Sequence, residues 1–189
     1  MYKRQVEDLF KPQILVESTF GDSHPGSAHL DQFVEEGMRA IADNGGKGAR
    51  NYVTDICDGI AQGHDGINYS LAHRDMMANM VEIHGNATGY DGGLFIASCD
   101  KSMPAMLMGI GKLKDVSAIV VTGGVMEAHT IPAKYVEQDP SCAINELLTL
   151  EQIGKFDAQE KRGEIPKEQL DYYKPVSYTH LTLPTICSV

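Results

Sequence analysis

Three short apolar runs, each emptying into a polar or glycine-containing loop and separated by helical patterns, constrain this chain more than anything in its composition. Leu30, Phe33, Val34, Met38 and Ile41 recur at helical spacing over Leu30–Ala42, and Asn44-Gly45-Gly46 supplies the stop. Asn51–Ile56 is β-rich and runs into Cys57-Asp58-Gly59, which predicts a strand followed by a loop rich in glycine at 59, 63 and 66. Leu71, Met76, Met77, Met80, Val81 and Ile83 predict a second helix over Ser70–His84. Leu94–Ala97 reads as a second strand that ends at Ser98-Cys99-Asp100-Lys101. Pro104 then sits where a first helical turn would begin, in a helix carrying Met106, Leu107, Ile110 and Leu113. Ala118–Thr122 is a third strand, closed by Gly123-Gly124. This alternation predicts an α/β fold, a parallel sheet flanked by helices, with its functional loops at the C-terminal ends of the strands.

Beyond Pro132 the pattern changes to polar surface helices over Leu147–Arg162 and Lys167–Tyr173, broken by Gly163 and Pro166, and no internal repeat is visible. Val176–Val189 then contains no Asp, Glu, Lys or Arg. The string Val-Ser-Tyr-Thr-His-Leu-Thr-Leu-Pro-Thr has the look of a translated sequencing adapter. The expected organisation is therefore a truncated N-terminal α/β domain over residues 1–175 and a non-native tail over 176–189, with His180 and Cys187 outside any site. A genuine apolar tail that docks on a partner is the alternative.

Composition narrows the function. Of 189 residues 42% are hydrophobic and 22% charged, which excludes disordered, collagen-like and disulfide-rich classes. Sixteen Lys and Arg against 26 Asp and Glu give a net charge of −10, and no basic patch is visible, so a nucleic-acid partner is disfavoured. No run approaches the roughly 18–20 apolar residues of a membrane helix. The start, Met1–Phe10, is charged rather than signal-like, so the expected location is the cytoplasm. Cysteines at 57, 99, 142 and 187 form no CxxC pair and suggest neither a disulfide framework nor a zinc ribbon.

Two carboxylates, Asp58 and Asp100, each follow a cysteine directly at a predicted strand end, where a parallel sheet could bring them together. Such oxygen ligands suit a hard cation such as magnesium, and thiolates suit iron. Buried structural thiols are the competing reading of Cys57 and Cys99. His64 lies in the glycine-rich loop, where glycine lets a backbone approach a ligand closely, and His24 and His29 flank Pro25-Gly26. His73 and His84 fall within the predicted helix and read as surface or packing residues. Gly123-Gly124 could bind an anion through backbone N–H groups, although GxGxxG and a P-loop lysine are both missing. The methionines at 76, 77, 80, 103, 106 and 108 read as core filler.

Four segments taken together carry a resemblance. They are Asp58-Gly59-Ile60-Ala61-Gln62-Gly63-His64-Asp65-Gly66, Tyr69-Ser70-Leu71 with Arg74-Asp75, Cys99-Asp100-Lys101 with Pro104, and Gly123-Gly124-Val125-Met126-Glu127. In order and spacing, including the 42 residues from Asp58 to Asp100, they resemble the dihydroxy-acid dehydratase and 6-phosphogluconate dehydratase family. The resemblance implies an iron-sulfur, magnesium-dependent hydro-lyase that converts a 2,3-dihydroxy carboxylic acid to a 2-keto acid, as in branched-chain amino-acid synthesis. A sugar-acid dehydratase is the alternative within the family. A non-catalytic anion-binding α/β module is the alternative outside it. By the same resemblance Cys99 matches a cluster ligand, Asp58 and Asp100 match magnesium ligands, and Lys101 matches a lysine that is carbamylated and binds the same magnesium. The full-length protein would be a homodimer or larger.

The chain also departs from the family. The early motif reads Gly21-Asp22-Ser23-His24-Pro25-Gly26-Ser27-Ala28-His29-Leu30, without the cysteine some members carry there. Cys57 is the candidate substitute, ahead of Cys142. Family members continue beyond Tyr172-Tyr173-Lys174 with a further cluster cysteine and a β-rich domain that supplies another magnesium carboxylate and a serine base. The 189-residue polypeptide is therefore expected to be inactive alone.

Overall fold

In the computed structural model, the described residues are 6–62, 64–124, 129–130, 147–148 and 150–171. Residues up to Val125 make one compact unit and those from Met126 onward a second.

The first unit is built on a sheet of four parallel strands: β1 (Gln13–Ser18), β2 (Lys47–Tyr52), β3 (Gly92–Ala97) and β4 (Ser117–Thr122), in the order β2-β1-β3-β4. The α/β class and the parallel sheet are as the alternation predicts. β1 itself is an element the sequence reading does not contain. It has only three consecutive apolar residues, Ile14 to Val16, and its next side chain is Glu17, so it lacks the pattern of a buried strand. It is nonetheless interior, with Val16 opposite Arg50 of β2 and opposite Leu94 of β3.

The helices take both faces. α1 (Leu30–Asp43) packs Leu30 and Val34 against Val16 and Ile96. A single turn, α2 (Asp58–Ala61), precedes α3 (Ser70–Ala87) and α4 (Cys99–Ile110), which cover the opposite face. There Val81 and Met106 join Leu15, Val53, Phe95 and Ala97 in the second core cluster. α3 and α4 touch closely because Gly109 has no side chain: a Cβ there would lie 2.6 Å from Val81 Cβ and 2.9 Å from the Ala78 carbonyl oxygen.

Two boundaries differ from expectation. The strand expected at Asn51–Ile56 is Lys47–Tyr52, an edge strand paired on one side only, so it needs no apolar run and tolerates exposed Arg50. The helix expected to begin near Pro104 begins at Cys99. Pro104 is its sixth residue, on the exposed side, where the missing N–H forfeits only the bond back to the Asp100 carbonyl.

In the second unit, β5 (His129–Thr130) pairs antiparallel with β6 (Leu147–Leu148), and α5 (Leu150–Lys161) follows. The helix expected from Leu147 thus starts three residues later, because Leu147-Leu148 are in the strand. Gly163, at φ +74°, supplies the left-handed residue past the end of α5. Cys142, Cys187, His180 and the segment 176–189 lie outside the described residues. Among the described residues no helix is long and apolar enough to cross a membrane.

Candidate active site

In a parallel sheet all strands deliver their following loops to one edge. Here those loops are residues 19–29 after β1, 53–57 after β2, Ser98 after β3, and Gly123-Gly124 after β4. Side chains from the first two, together with α2, α3 and α4, converge on Lys101 and its partner Asp55.

Lys101 is the third residue of α4 and is buried. Its ammonium has three donors and meets three oxygens: the Ile56 carbonyl at 2.5 Å, Asp58 Oδ1 at 2.8 Å and Asp55 Oδ1 at 2.9 Å. Burial pulls the amine's pKa down, but the hydrogen bonds and charges of Asp58 and Asp55 prevail and hold it above the ordinary lysine value. Burial likewise acts to raise Asp58, and hydrogen bonds from Lys101 and Ser70 outweigh it, leaving that carboxyl below the usual range. Lys101 is therefore an ammonium and Asp58 a carboxylate at neutral pH.

Asp55 is the residue sequence reasoning missed. It is almost wholly buried and ties four segments together. Lys101 and Ser102 reach it from α4, Ser102 through a hydroxyl hydrogen bond to Oδ2. His24 Nε2, from the loop after β1, lies 3.8 Å from Oδ2, and His73 Nδ1 of α3 lies 3.4 Å from Oδ1. The available signal was an acidic residue in the otherwise uncharged stretch Val53–Cys57 directly before the motif at Asp58. Burial is the main influence on His24 and lowers its pKa, so the ring is neutral; its Nδ1 accepts the Gly26 N–H.

Cys99 opens α4 with φ at +72°, a left-handed conformation that costs a non-glycine residue about 1–2 kcal/mol. Strain of this kind gathers at functional sites. Its thiol donates to Asp100 Oδ1 at 3.3 Å; burial first, then Asp100, pushes its pKa up to about 11. Asp100 is exposed and turned to this thiol. Of the expected pair, Asp58 meets Lys101 with Asp55 as its companion, and Asp100 meets the Cys99 thiol. Cys57 is buried immediately before Asp58.

The remaining histidines brace loops. His64 Nδ1 accepts the Gly66 N–H and its Nε2 meets the Ile60 carbonyl at 3.1 Å. His29 Nε2 lies 2.9 Å from the Gly123 carbonyl. The Gly123 N–H donates to the Ala97 carbonyl, so it is not available to an anion, which removes one donor from the anion-binding reading of Gly123-Gly124. His84, expected to be a surface or packing residue, instead pairs through Nδ1 with the buried Glu17 at 3.0 Å.

Among the described residues no three His, Cys, Asp or Glu side chains are close enough to hold a metal ion. The oxygens around Lys101 Nζ nevertheless already enclose a positive charge with two carboxylates and a carbonyl, the donor type a hard cation takes. Asp58 and Asp55 supply oxygens of the kind magnesium takes, and a carbamate on Lys101 would add another. An iron-sulfur cluster needs several thiolates. The described residues offer one partly exposed thiol, Cys99, and do not by themselves fit a whole cluster.

The profile of the family described as dihydroxy-acid/6-phosphogluconate dehydratase N-terminal matches residues 11–181. The chain is 34% identical over 164 residues to a dihydroxy-acid dehydratase of Methanococcus aeolicus, and 38% identical over 165 residues to one of Methanococcus maripaludis. Each alignment covers 87% of this chain and 28% of the relative. A dihydroxy-acid dehydratase of Pyrococcus abyssi is 38% identical over 131 residues, 69% of this chain and 24% of that protein. The chain thus spans about a quarter of the length of these relatives. The sheet, the loop cluster around Lys101 and the match over 11–181 agree: this chain belongs to the dihydroxy-acid/6-phosphogluconate dehydratase family and carries its N-terminal region.

Proposed function

We propose that this chain contributes the magnesium site and one cluster thiol of a hydro-lyase that converts a 2,3-dihydroxy carboxylic acid to a 2-keto acid. The similarity to dihydroxy-acid dehydratases favours that activity, in branched-chain amino-acid synthesis, over a sugar-acid dehydratase. The activity is assigned to the whole protein, a cytosolic homodimer or larger assembly, and the 189-residue chain is inactive by itself. The observation that carries the reading is Lys101, held by Asp58 at 2.8 Å within the loops that follow the parallel strands.

Asp58, Asp100 and Lys101, the last as a carbamate, would hold the magnesium. Cys99, with Cys57 as the candidate second thiol, would hold iron. When bound, these groups supply Lewis acids, magnesium for the substrate carboxylate and 2-hydroxyl and iron for the 3-hydroxyl. The chain's own contribution is electrostatic. Asp58 is ionised at neutral pH, and the wholly buried Asp55 keeps a positive centre at the loop cluster. α4 carries Cys99 and Lys101 in its first turn, at the C-terminal end of β3. Loss of the C2 proton and the 3-hydroxide gives an enol that tautomerises to the keto acid, with no net redox change.

Anaerobic reconstitution with ferrous iron and sulfide tests this. The expected result, in the whole protein, is visible cluster absorbance that disappears in Cys99→Ser. Equal absorbance in both proteins would overturn the assignment of Cys99.

A further inference from the structure

We propose that the exposed flank of α3 is a self-association surface, on which a second copy of this chain lays its own α3 across a two-fold axis. This rests on the reading of the whole protein as a homodimer and names the face which that reading lacks. It is independent of the chemistry at Lys101.

A helix that lies on a sheet needs one apolar stripe. α3 has two. The first, with Met77, Ala78 and Val81, is buried. The second runs along another side of the helix through Tyr69, the N-cap, then His73, Met76, Met80, Ile83 and Ala87. These positions follow one another in alternating steps of four and three residues, the spacing by which one helix seats against another. Yet the seam is open: Tyr69 is 70% exposed, Met76 62%, Ile83 60% and Met80 39%. Ala87 is exposed too, and only His73 is half-buried. α4 does not cover it. That helix lies against the other flank, where Gly109 meets Ala78 and Lys112 bonds Asn79 and Glu82.

Charge identifies the occupant. The chain carries a net charge of −10, so two copies repel one another unless they meet through a face free of acid. The seam has no Asp or Glu, and the positions along its outer side are Ala72, Asn79 and Asn86. At 100° per residue, the charged residues of the helix, Arg74, Asp75 and Glu82, all lie more than a quarter turn from the midline of the seam. The seam is also complementary to itself. A two-fold axis across the helices sets the second α3 antiparallel, and every contact then occurs twice. With the axis level with Ala78, Met76 faces the partner's Met80, His73 the partner's Ile83 and Tyr69 the partner's Ala87. The largest side chain thus meets the smallest, as interdigitating layers require.

Sedimentation velocity over a wide range of concentration tests this, on the 189-residue chain and on the whole protein, with circular dichroism confirming that each variant folds. The unaltered chain is expected to dimerise. Met80→Glu, which sets an unpaired carboxylate inside the seam of each copy, is expected to weaken the dimer at least about tenfold. Ile119→Glu, at a site 66% exposed on β4, is expected to leave it unchanged. Independently of these, a mixture of Met76→Cys and Met80→Cys chains under mild oxidation is expected to give more disulfide-linked dimer than either variant alone. A chain that stays monomeric, a dimer that withstands Met80→Glu or is lost in Ile119→Glu, or a mixture no more cross-linked than its components overturns the proposal. If the whole protein is a dimer that Met80→Glu leaves intact, as when the rest of the polypeptide covers the seam, the α3 assignment is wrong and the homodimer reading stands. If the whole protein is a monomer, both fail.

Discussion

The Asp55 carboxylate and the Lys101 ammonium meet at 2.9 Å with side chains 0% and 4% exposed. A pair buried this completely is costly to break from one side, because the survivor keeps its charge without its partner. Lys101→Met is expected to lower the free energy of unfolding by about 3–5 kcal/mol in urea melts. Asp55→Leu combined with Lys101→Met should recover most of that loss. A double variant no more stable than the single one would show that the cost lies in packing rather than charge.

Glu17 provides the pH dependence. It is wholly buried in the interior strand β1, opposite Asn51 of β2 and Phe95 of β3, neither of which titrates. His84 of α3 meets its Oε2 at 3.0 Å, and its Oε1 has no partner. Burial raises the carboxyl from an ordinary 4.5 to about 7, against the lowering effect of His84. A raised acid pKa means the folded state holds the proton more tightly. Its stabilising contribution is complete below about pH 4.5 and is lost as the pH climbs through 7. The loss amounts to roughly 3 kcal/mol. Thermal melts between pH 5 and 8.5 should show it, and Glu17→Gln should flatten the trend; an unchanged slope in that variant would assign the effect elsewhere.

Gly109 and Gly89 make a paired test of packing. Alanine at 109 would drive its Cβ into Val81 and the Ala78 carbonyl, at an expected cost of about 1–3 kcal/mol. Alanine at 89 meets nothing within 4 Å and should be neutral or stabilising by up to about 1 kcal/mol. Chemical denaturation of the two variants side by side checks the close contact of α3 and α4. Equal stabilities would mean the helices stand further apart.

The Cys99 thiol should alkylate slowly in the metal-free chain. With its pKa near 11 it carries roughly 100-fold less thiolate at pH 8 than an ordinary exposed thiol. Asp100→Asn removes an adjacent negative charge and should speed iodoacetamide labelling of Cys99, read by peptide mass spectrometry. A rate already equal to that of a free thiol would contradict the burial.

What could be read from the sequence was local. Leu30–Asp43 announces itself because half of it is apolar at the right period, and Asp58, Cys99 and Lys101 because they sit in contiguous motifs; in Ser70–Ala87 the apolar residues mark a helix, but Leu71, Met76, Met80 and Ile83 are exposed, so Met76 and Met80 are not the core filler expected of them. β1 escaped because three apolar residues beside a buried glutamate look like a loop, and β2 was displaced because an edge strand needs little apolar surface. The convergence at Asp55 depends on both. It requires β2 to end at Tyr52, α4 to start at Cys99, and the loop after the unrecognised β1 to deliver His24. His73 and His84 lie on one helix, where periodicity carries no information about the buried carboxylates they meet.

The proposed role of Lys101 in a cation site is tested most directly by carbon-13 spectroscopy of the chain in labelled bicarbonate, with and without magnesium. The account predicts a carbamate signal that appears only when magnesium is present and is absent from Lys101→Met. A chain that shows no carbamate at saturating magnesium, or the same signal in Lys101→Met, would contradict it.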